Sequence, residues 1–239
     1  MTAERAPRPQ GDRVGDGAPT TGPHACDELA ALGTATVSDA LDRLGLPGGA
    51  MGIVGLADGQ RMAGPAFTVR YVPVRPGGGG TVGDYLDDCL AGQVVVLDNS
   101  GRLDCTVWGD ILTALAFEKG LAGTAIDGVC RDVRRPLDLG YPIYSRGRFM
   151  RTGKDRVEVA GVNQTVSLGG VQVRPGDLVI GDDDGVVAVP SERAGEVVEA
   201  AMSIAAAEAH IVEAIRAGQR LAEARAAHGY HQLQRGDGA

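Results

Sequence analysis

Asp110, Arg131 and Asp132 are residue types that could do chemistry together if the chain brings them to one place. A guanidinium presents a planar fork to a carboxylate. An aspartate presents a hard oxygen ligand to Mg²⁺ or Mn²⁺. Asp110 opens the segment DILTALAFEKG, whose apolar pattern predicts a helix stopped by Gly120. The first amides of that helix, Ile111, Leu112, Thr113 and Ala114, are expected to lack partners and to suit a carboxylate or phosphate. Arg131 and Asp132 close the strand pattern AGTAIDGVC. In a parallel sheet, the carboxyl end of a strand faces the same side as the start of the next crossover helix. Each feature has a plainer reading, Asp110 as an N-cap and Arg131–Asp132 as a loop ion pair. Taken together they predict an anion site with a metal beside it.

The elements that must position these residues follow from periodicity. Residues 1–24 hold Pro, Gly and charge with almost no large apolar side chain, which predicts a disordered tail. A folded domain is expected over 25–230, with a second tail over 231–239. ACDELAALGTATVSDALDRLG has helical spacing, with Thr36 or Ser38 as caps. RMAGPAFTVRYVPV alternates like a strand, and GGGG at 77–80 predicts a flexible loop. QVVVLDNS, the helix from Asp110 and AGTAIDGVC form a strand–helix–strand crossover, parallel and right-handed. YPIYSRG and QTVSLGGVQVRPGDLVIGDDDGVVAVP supply short strands, with PGD and DDG as turns. A long helix is expected from an N-cap at Ser191 to about Ala217, with Gly218 just beyond it. These elements make one α/β domain with a mixed β portion.

Other residues narrow the function class. A net charge of −8 argues against a nucleic-acid surface. The chain holds neither a run of about 18 apolar residues nor a signal-peptide core, so no membrane role and a cytoplasmic location are expected. Cys26, Cys89, Cys105 and Cys130 have no CxxC spacing and are expected to be buried free thiols. His24, His210, His228 and His231 form neither HxxxH nor HExxH, which argues against zinc. GDDDG at 181–185 lacks the spacing of a calcium loop and predicts a hairpin turn. Lys119 and Lys154 are the two lysines, and neither sits in the apolar context that activates a Schiff-base lysine. Asp84 or Tyr85 could border the pocket, and Trp108 is expected to pack. In the last helix Ala201, Ile204, Ala205, Ile211, Val212 and Ile215 make an apolar stripe with Glu208 inside it. A carboxylate there needs a partner, such as an arginine at a subunit interface, or a function.

The run GDYLDDCLAGQVVVLDNSGRLDCTVWGDILTALAFEKGLAGTAIDGVCRD, followed by PGDLVIGDDDGVVAVP, resembles a known family. That family joins the class II 4-hydroxy-4-methyl-2-oxoglutarate aldolases to the regulators of ribonuclease E activity (RraA-like proteins). Its members were once described as demethylmenaquinone methyltransferases. The resemblance runs from about residue 27 to 230 and includes the D-x20-R-D spacing of Asp110, Arg131 and Asp132. It implies a swivelling β/β/α-type sandwich with a mixed sheet and a long C-terminal helix. It also implies that Asp132 binds Mg²⁺ or Mn²⁺ directly, while Asp110 and Glu208 hold the ion through water. Arg131 and the amides of Ile111, Leu112, Thr113 and Ala114 are implied to hold a pyruvate unit. Glu208 is implied to come from a neighbouring subunit of a homotrimer or homohexamer with sites at the interfaces.

The activity so implied is cleavage or formation of a 4-hydroxy-2-oxo acid. A divalent ion would stabilise the pyruvate enolate, a route that also serves oxaloacetate decarboxylation. The family's other branch is a non-catalytic ring that binds and inhibits ribonuclease E. With Asp110, Arg131, Asp132 and Glu208 all present, the enzyme is the expected branch, acting on a small 2-oxo acid. The group beyond the pyruvate unit depends on loops that vary within a fold.

Overall fold

The structure, a computed structural model, describes residues 23–75, 82–230 and 233–234. The GGGG loop, residues 1–22 of the expected tail and most of the segment 231–239 lie outside the described residues. The first helix, α1 (Pro23–Leu32), takes in His24, the last residue assigned to the tail from sequence. After it α2 (Thr34–Arg43) follows Gly33. Thr36 and Ser38 stand inside α2, and neither is its cap. The start of α2 is held instead by a distant carboxylate, Asp182, whose Oδ2 accepts the Thr34 N–H at 2.8 Å. Asp182 also accepts the Thr34 hydroxyl proton. A residue 148 positions away does the work that local spacing assigned to a neighbour.

A short β1 (Val54–Gly55) and the long β2 (Met62–Pro73) lead into β3 (Val94–Thr106), α3 (Asp110–Glu118), β4 (Gly123–Cys130), α4 (Arg134–Leu139) and β5 (Ile143–Arg148). Then come β6 (Val157–Val162), β7 (Val166–Leu168), β8 (Val171–Val173), β9 (Leu178–Asp182) and β10 (Gly185–Val189). A 3₁₀ turn at Ser191–Arg193, the helix α5 (Ala194–Arg216) and α6 (Leu221–Ala227) close the described fold. The mixed main sheet has the order β1-β5-β4-β3-β2-β9-β10, with β6 also on β2. Strands β2 to β5 run parallel, as the crossover pattern predicts, and β9–β10 is the expected hairpin across Asp182 and Gly185. The segment after α2 pairs with both ends of this sheet, through Gly49 on Val187 and Val54–Gly55 on β5.

Alternation along the strands divides the interior into layers. Val95 and Leu97 of β3 point into a core with Phe67, Tyr85, Trp108 and Tyr141, on the side of α3 and α4. Val94 and Val96 point the other way, to Ala125, Val179 and Val186 between the two halves of the sheet. Beyond β9 and β10, Ile180 and Val187 meet Leu29, Leu41, Ala201 and Ile204 of α1, α2 and α5. The result is a mixed α/β sandwich closed by a long helix. All four cysteines are buried free thiols. Burial pushes the Cys26 thiol up to about 11 and the Cys89 thiol up to about 12.

Two sequence expectations change here. Ser191 opens the 3₁₀ turn, not α5, and its N–H goes to Asp177 Oδ1 at 3.1 Å. Gly218 does stand just past the end of α5, at φ 93°. The apolar stripe of α5 is only partly covered: Ala201, Ile204 and Ile211 are buried, while Val212 and Ile215 are 45% and 40% exposed. Strand β6 and helices α4 and α6 carry patterns too short to stand out in the sequence.

Candidate active site

The site begins where β3 leaves the sheet. Its register with β4 breaks between Asp98 and Thr106, so the strand's last residues turn toward α3. Thr106 staples that turn: its hydroxyl donates to Trp108 O at 2.8 Å, and its Oγ1 accepts the Trp108 N–H at 3.1 Å. Trp108 is the anchor expected from sequence. It is buried, its Nε1–H donates to Thr113 Oγ1 at 2.9 Å, and its ring stacks on Tyr141 at 6.4 Å. Removing such a ring costs on the order of 3–5 kcal/mol.

Gly109, not Asp110, is the N-cap of α3, and Asp110 is the first helical residue. The Gly109 carbonyl therefore takes the N–H of Thr113, at 3.0 Å. This removes Thr113 from the amides expected to be free, and Ala114 lies one residue deeper in the helix. The amides left at the helix start are those of Asp110, Ile111 and Leu112. The Ile111 N–H turns to Asp110 Oδ1 at 2.8 Å, and the Asp110 N–H reaches Asp132 Oδ2 at 3.3 Å.

The other arm comes from the end of β4. The Arg131 N–H donates to Trp108 O at 3.3 Å, which ties that strand end to the α3 turn. Asp132 adopts φ 56°, a left-handed conformation that aspartate tolerates better than most residues. Its Oδ2 lies 3.1 Å from Arg131 Nε, and the two side chains are 38% and 39% exposed. The loop ion pair considered from sequence is thus present, and it is built into the helix start. Gly109 makes the approach possible. A Cβ there would stand 2.8 Å from Asp132 Oδ2 and 3.2 Å from Arg131 Nε. Its φ of −154° is ordinary extended backbone, so the requirement is one of space.

A cavity of about 500 Å³ opens over the α3 start, bordered by Asp84, Asp87, Asp110, Arg131, Thr152 and Lys154 among others. That is ample for a small carboxylic acid. Of the two residues suggested after the glycine loop, Asp84 lines this cavity. Tyr85 is buried behind it against Tyr71, with the hydroxyls 3.1 Å apart, and desolvation holds its phenol well above the usual range. Lys154 and Thr152 were missed from sequence. The Thr106 N–H donates to Arg151 O at 2.9 Å, and Thr106 bridges Thr152, which draws the segment after β5 to the cavity wall. No local pattern announces a contact between residues so far apart. Arg131 also borders a second hollow of about 280 Å³, with Asp132, Arg148 and Met150.

Glu208 does not join this constellation within one chain. It lies half-buried on α5, which packs on α1, α2 and α6. Among the described residues, no three His, Cys, Asp or Glu side chains gather as a metal site. Asp110 Oδ2 and Asp132 Oδ1 make no hydrogen bond among the described residues, so each carboxylate keeps one oxygen uncommitted. Two such oxygens suit Mg²⁺, which keeps several of its waters and binds through one or two carboxylates. The residues therefore fit a hard divalent ion.

Residues 34–188 match the family described as "RraA-like: Aldolase/RraA". Protein DlpA of Legionella pneumophila is 37% identical over 214 residues, covering 89% of this chain and 35% of that protein. The chain thus spans about a third of the Legionella protein's length. A protein of Halalkalibacterium halodurans named "Putative 4-hydroxy-4-methyl-2-oxoglutarate aldolase" is 36% identical over 170 residues, covering 70% of this chain and 77% of that protein. Among solved structures, RraAS2 of Streptomyces coelicolor matches with a TM-score of 0.69 at 31% identity, covering 76% of this chain and 92% of that chain. RraAS2 is described as an unusual member of the RNase ES inhibitor RraA protein family. Among the described residues no helix is long and apolar enough to cross a membrane.

Proposed function

We infer that this chain, which belongs to the RraA-like family, is a divalent-metal-dependent pyruvate aldolase that cleaves or forms a 4-hydroxy-2-oxo acid. The observation that carries this reading is the meeting of Arg131 and Asp132 at the start of α3, where Asp110 and Arg131 border the larger cavity and Arg131 and Asp132 the smaller hollow beside it. Asp132 occupies Arg131 Nε, and no other group among the described residues pairs with the guanidinium side chain, so its Nη atoms are available to a substrate carboxylate. The Leu112 N–H at the helix start adds partial positive charge on the same side. Asp132, with Asp110 acting through water, would hold Mg²⁺ or Mn²⁺. When bound, the ion supplies positive charge against the oxygen of a developing enolate. Exposed Lys154 supplies a cation for a second acidic group of the substrate. The same residues serve decarboxylation of oxaloacetate, which leaves the same three-carbon unit.

Glu208 is proposed to complete the site of a neighbouring copy, in a homotrimer or homohexamer. Its place on a partly uncovered face of α5, away from its own chain's cavity, supports this. The test is pyruvate release from a panel of 4-hydroxy-2-oxo acids and from oxaloacetate, with and without EDTA. Turnover should vanish with EDTA and return with Mg²⁺ or Mn²⁺. Inactivation by borohydride in the presence of substrate would instead reveal a lysine imine and overturn the reading. A second reading, binding and inhibition of a ribonuclease, is favoured by the likeness to RraAS2. Ribonuclease capture by a chain inert towards every substrate of the panel would establish it.

A further inference from the structure

The sequence spacing of the histidines argues against zinc, yet folding brings two of them together. His210 on α5 and His228, which caps the end of α6, have ring centroids 5.5 Å apart with planes tilted by 33°. Two imidazoles that bind one tetrahedral ion at about 2.0–2.1 Å place their centroids roughly 5 Å apart. The observed separation is close enough for one ion to reach both rings.

The surroundings of the pair point the same way. Helix α6 has only seven residues, too few to hold itself together in water. It buries just Ala224, while Leu221 at its start is 48% exposed. Little apolar contact thus fixes this helix to α5. The nearest cation on α6, Arg225, is turned onto the Tyr230 ring at 4.5 Å and is engaged there. The two imidazoles thus meet from two separate elements.

We propose that His210 and His228 form a site for a borderline-soft divalent ion, Zn²⁺, Ni²⁺ or Cu²⁺, that clips α6 onto α5. Imidazole selects such ions, whereas the carboxylates of Asp110 and Asp132 suit Mg²⁺, so the two sites separate by ligand chemistry. No third His, Cys, Asp or Glu completes the set among the described residues, so water fills the remaining positions. Binding across two elements stabilises the docked helix, because the unfolded segment cannot present both ligands at once. The proposal does not depend on the aldolase reading.

Untagged full-length protein is titrated with Cu²⁺ and followed by electron paramagnetic resonance, and with Zn²⁺ and followed by hydrogen exchange of residues 221–230. Wild type should show one saturable Cu²⁺ site with nitrogen hyperfine structure, and Zn²⁺ should slow exchange over α6. His210→Gln and His228→Gln should each lose both signals, while Asp132→Ala keeps them. Mg²⁺ should leave α6 exchange unchanged. Absence of a saturable site in wild type overturns the proposal, as does binding that survives both histidine substitutions or is lost in Asp132→Ala alone. The substituted side chains lie at the surface. Exchange over α5 reports whether each variant keeps its fold, and a variant that does not is replaced by the corresponding alanine substitution.

Discussion

Asp132 Oδ2 accepts the backbone N–H of Asp110 at 3.3 Å, across 22 positions of sequence. One carboxylate thus caps α3, pairs with Arg131 and keeps its second oxygen free. These roles can be separated by substitution. Asp132→Asn retains an acceptor for the cap and tolerates φ 56°, so its thermal stability should stay near wild type while metal-dependent turnover is lost. Asp132→Ala should lose turnover too, and in addition about 1–2 kcal/mol of stability from the missing cap and the left-handed backbone. Calorimetry beside a pyruvate-release assay checks both. Equal stability of the two variants would remove the capping role.

Gly109→Ala should impair the site with little effect on the backbone. The added methyl would stand 2.8 Å from Asp132 Oδ2, so the carboxylate must move away from the helix start. We expect at least a tenfold fall in kcat/KM, about 1.4 kcal/mol, with a midpoint of unfolding close to wild type. Unchanged kinetics would show that the pair tolerates displacement.

Arg131 and Lys154 border the same cavity and should affect different parts of the substrate. Arg131→Ala should weaken oxalate inhibition and raise KM for every substrate. Because the side chain is partly exposed, the loss should sit near the low end of about 2–5 kcal/mol. Lys154→Ala should leave oxalate binding unchanged and raise KM only for substrates with a second acidic group. Measuring both inhibition and KM across the substrate panel distinguishes the two. If Lys154→Ala also abolishes oxalate binding, the division of labour fails.

Mixed assemblies test the position of Glu208. Asp132→Ala and Glu208→Ala chains, each inactive alone, should regain activity when mixed, because some interfaces then carry both native residues. Subunit exchange is verified with differently tagged chains. Exchange without recovery would place Glu208 outside the shared site.

The crossover at the centre of the protein was legible in the sequence because its signals are local. Helical spacing marks α3, apolar runs mark β3 and β4, and a parallel pair with one helix between has essentially one hand. That topology already puts Asp110 on the same side as Arg131 and Asp132. The caps were misassigned for the opposite reason. Thr34 is held by Asp182 and the start of α3 by Asp132, and a side chain that caps from another element leaves no mark beside the helix it caps. The helix-start amides shifted with the cap, since moving the N-cap from Asp110 to Gly109 moves the free N–H groups back by one residue.

By itself the sequence determined the resemblance, the α/β crossover and the three residues Asp110, Arg131 and Asp132 at one end of it, all of them properties of short stretches or fixed spacings. Only the tertiary structure decided that Thr152 and Lys154 border the cavity, that Tyr85 lies behind it and that His210 meets His228. Those contacts depend on how whole elements pack, and a packing contact is set by the shapes of two surfaces and not by any interval along the chain. For the same reason, the distance of Glu208 from its own chain's site became visible only when α5 was seen on the face of α1 and α2.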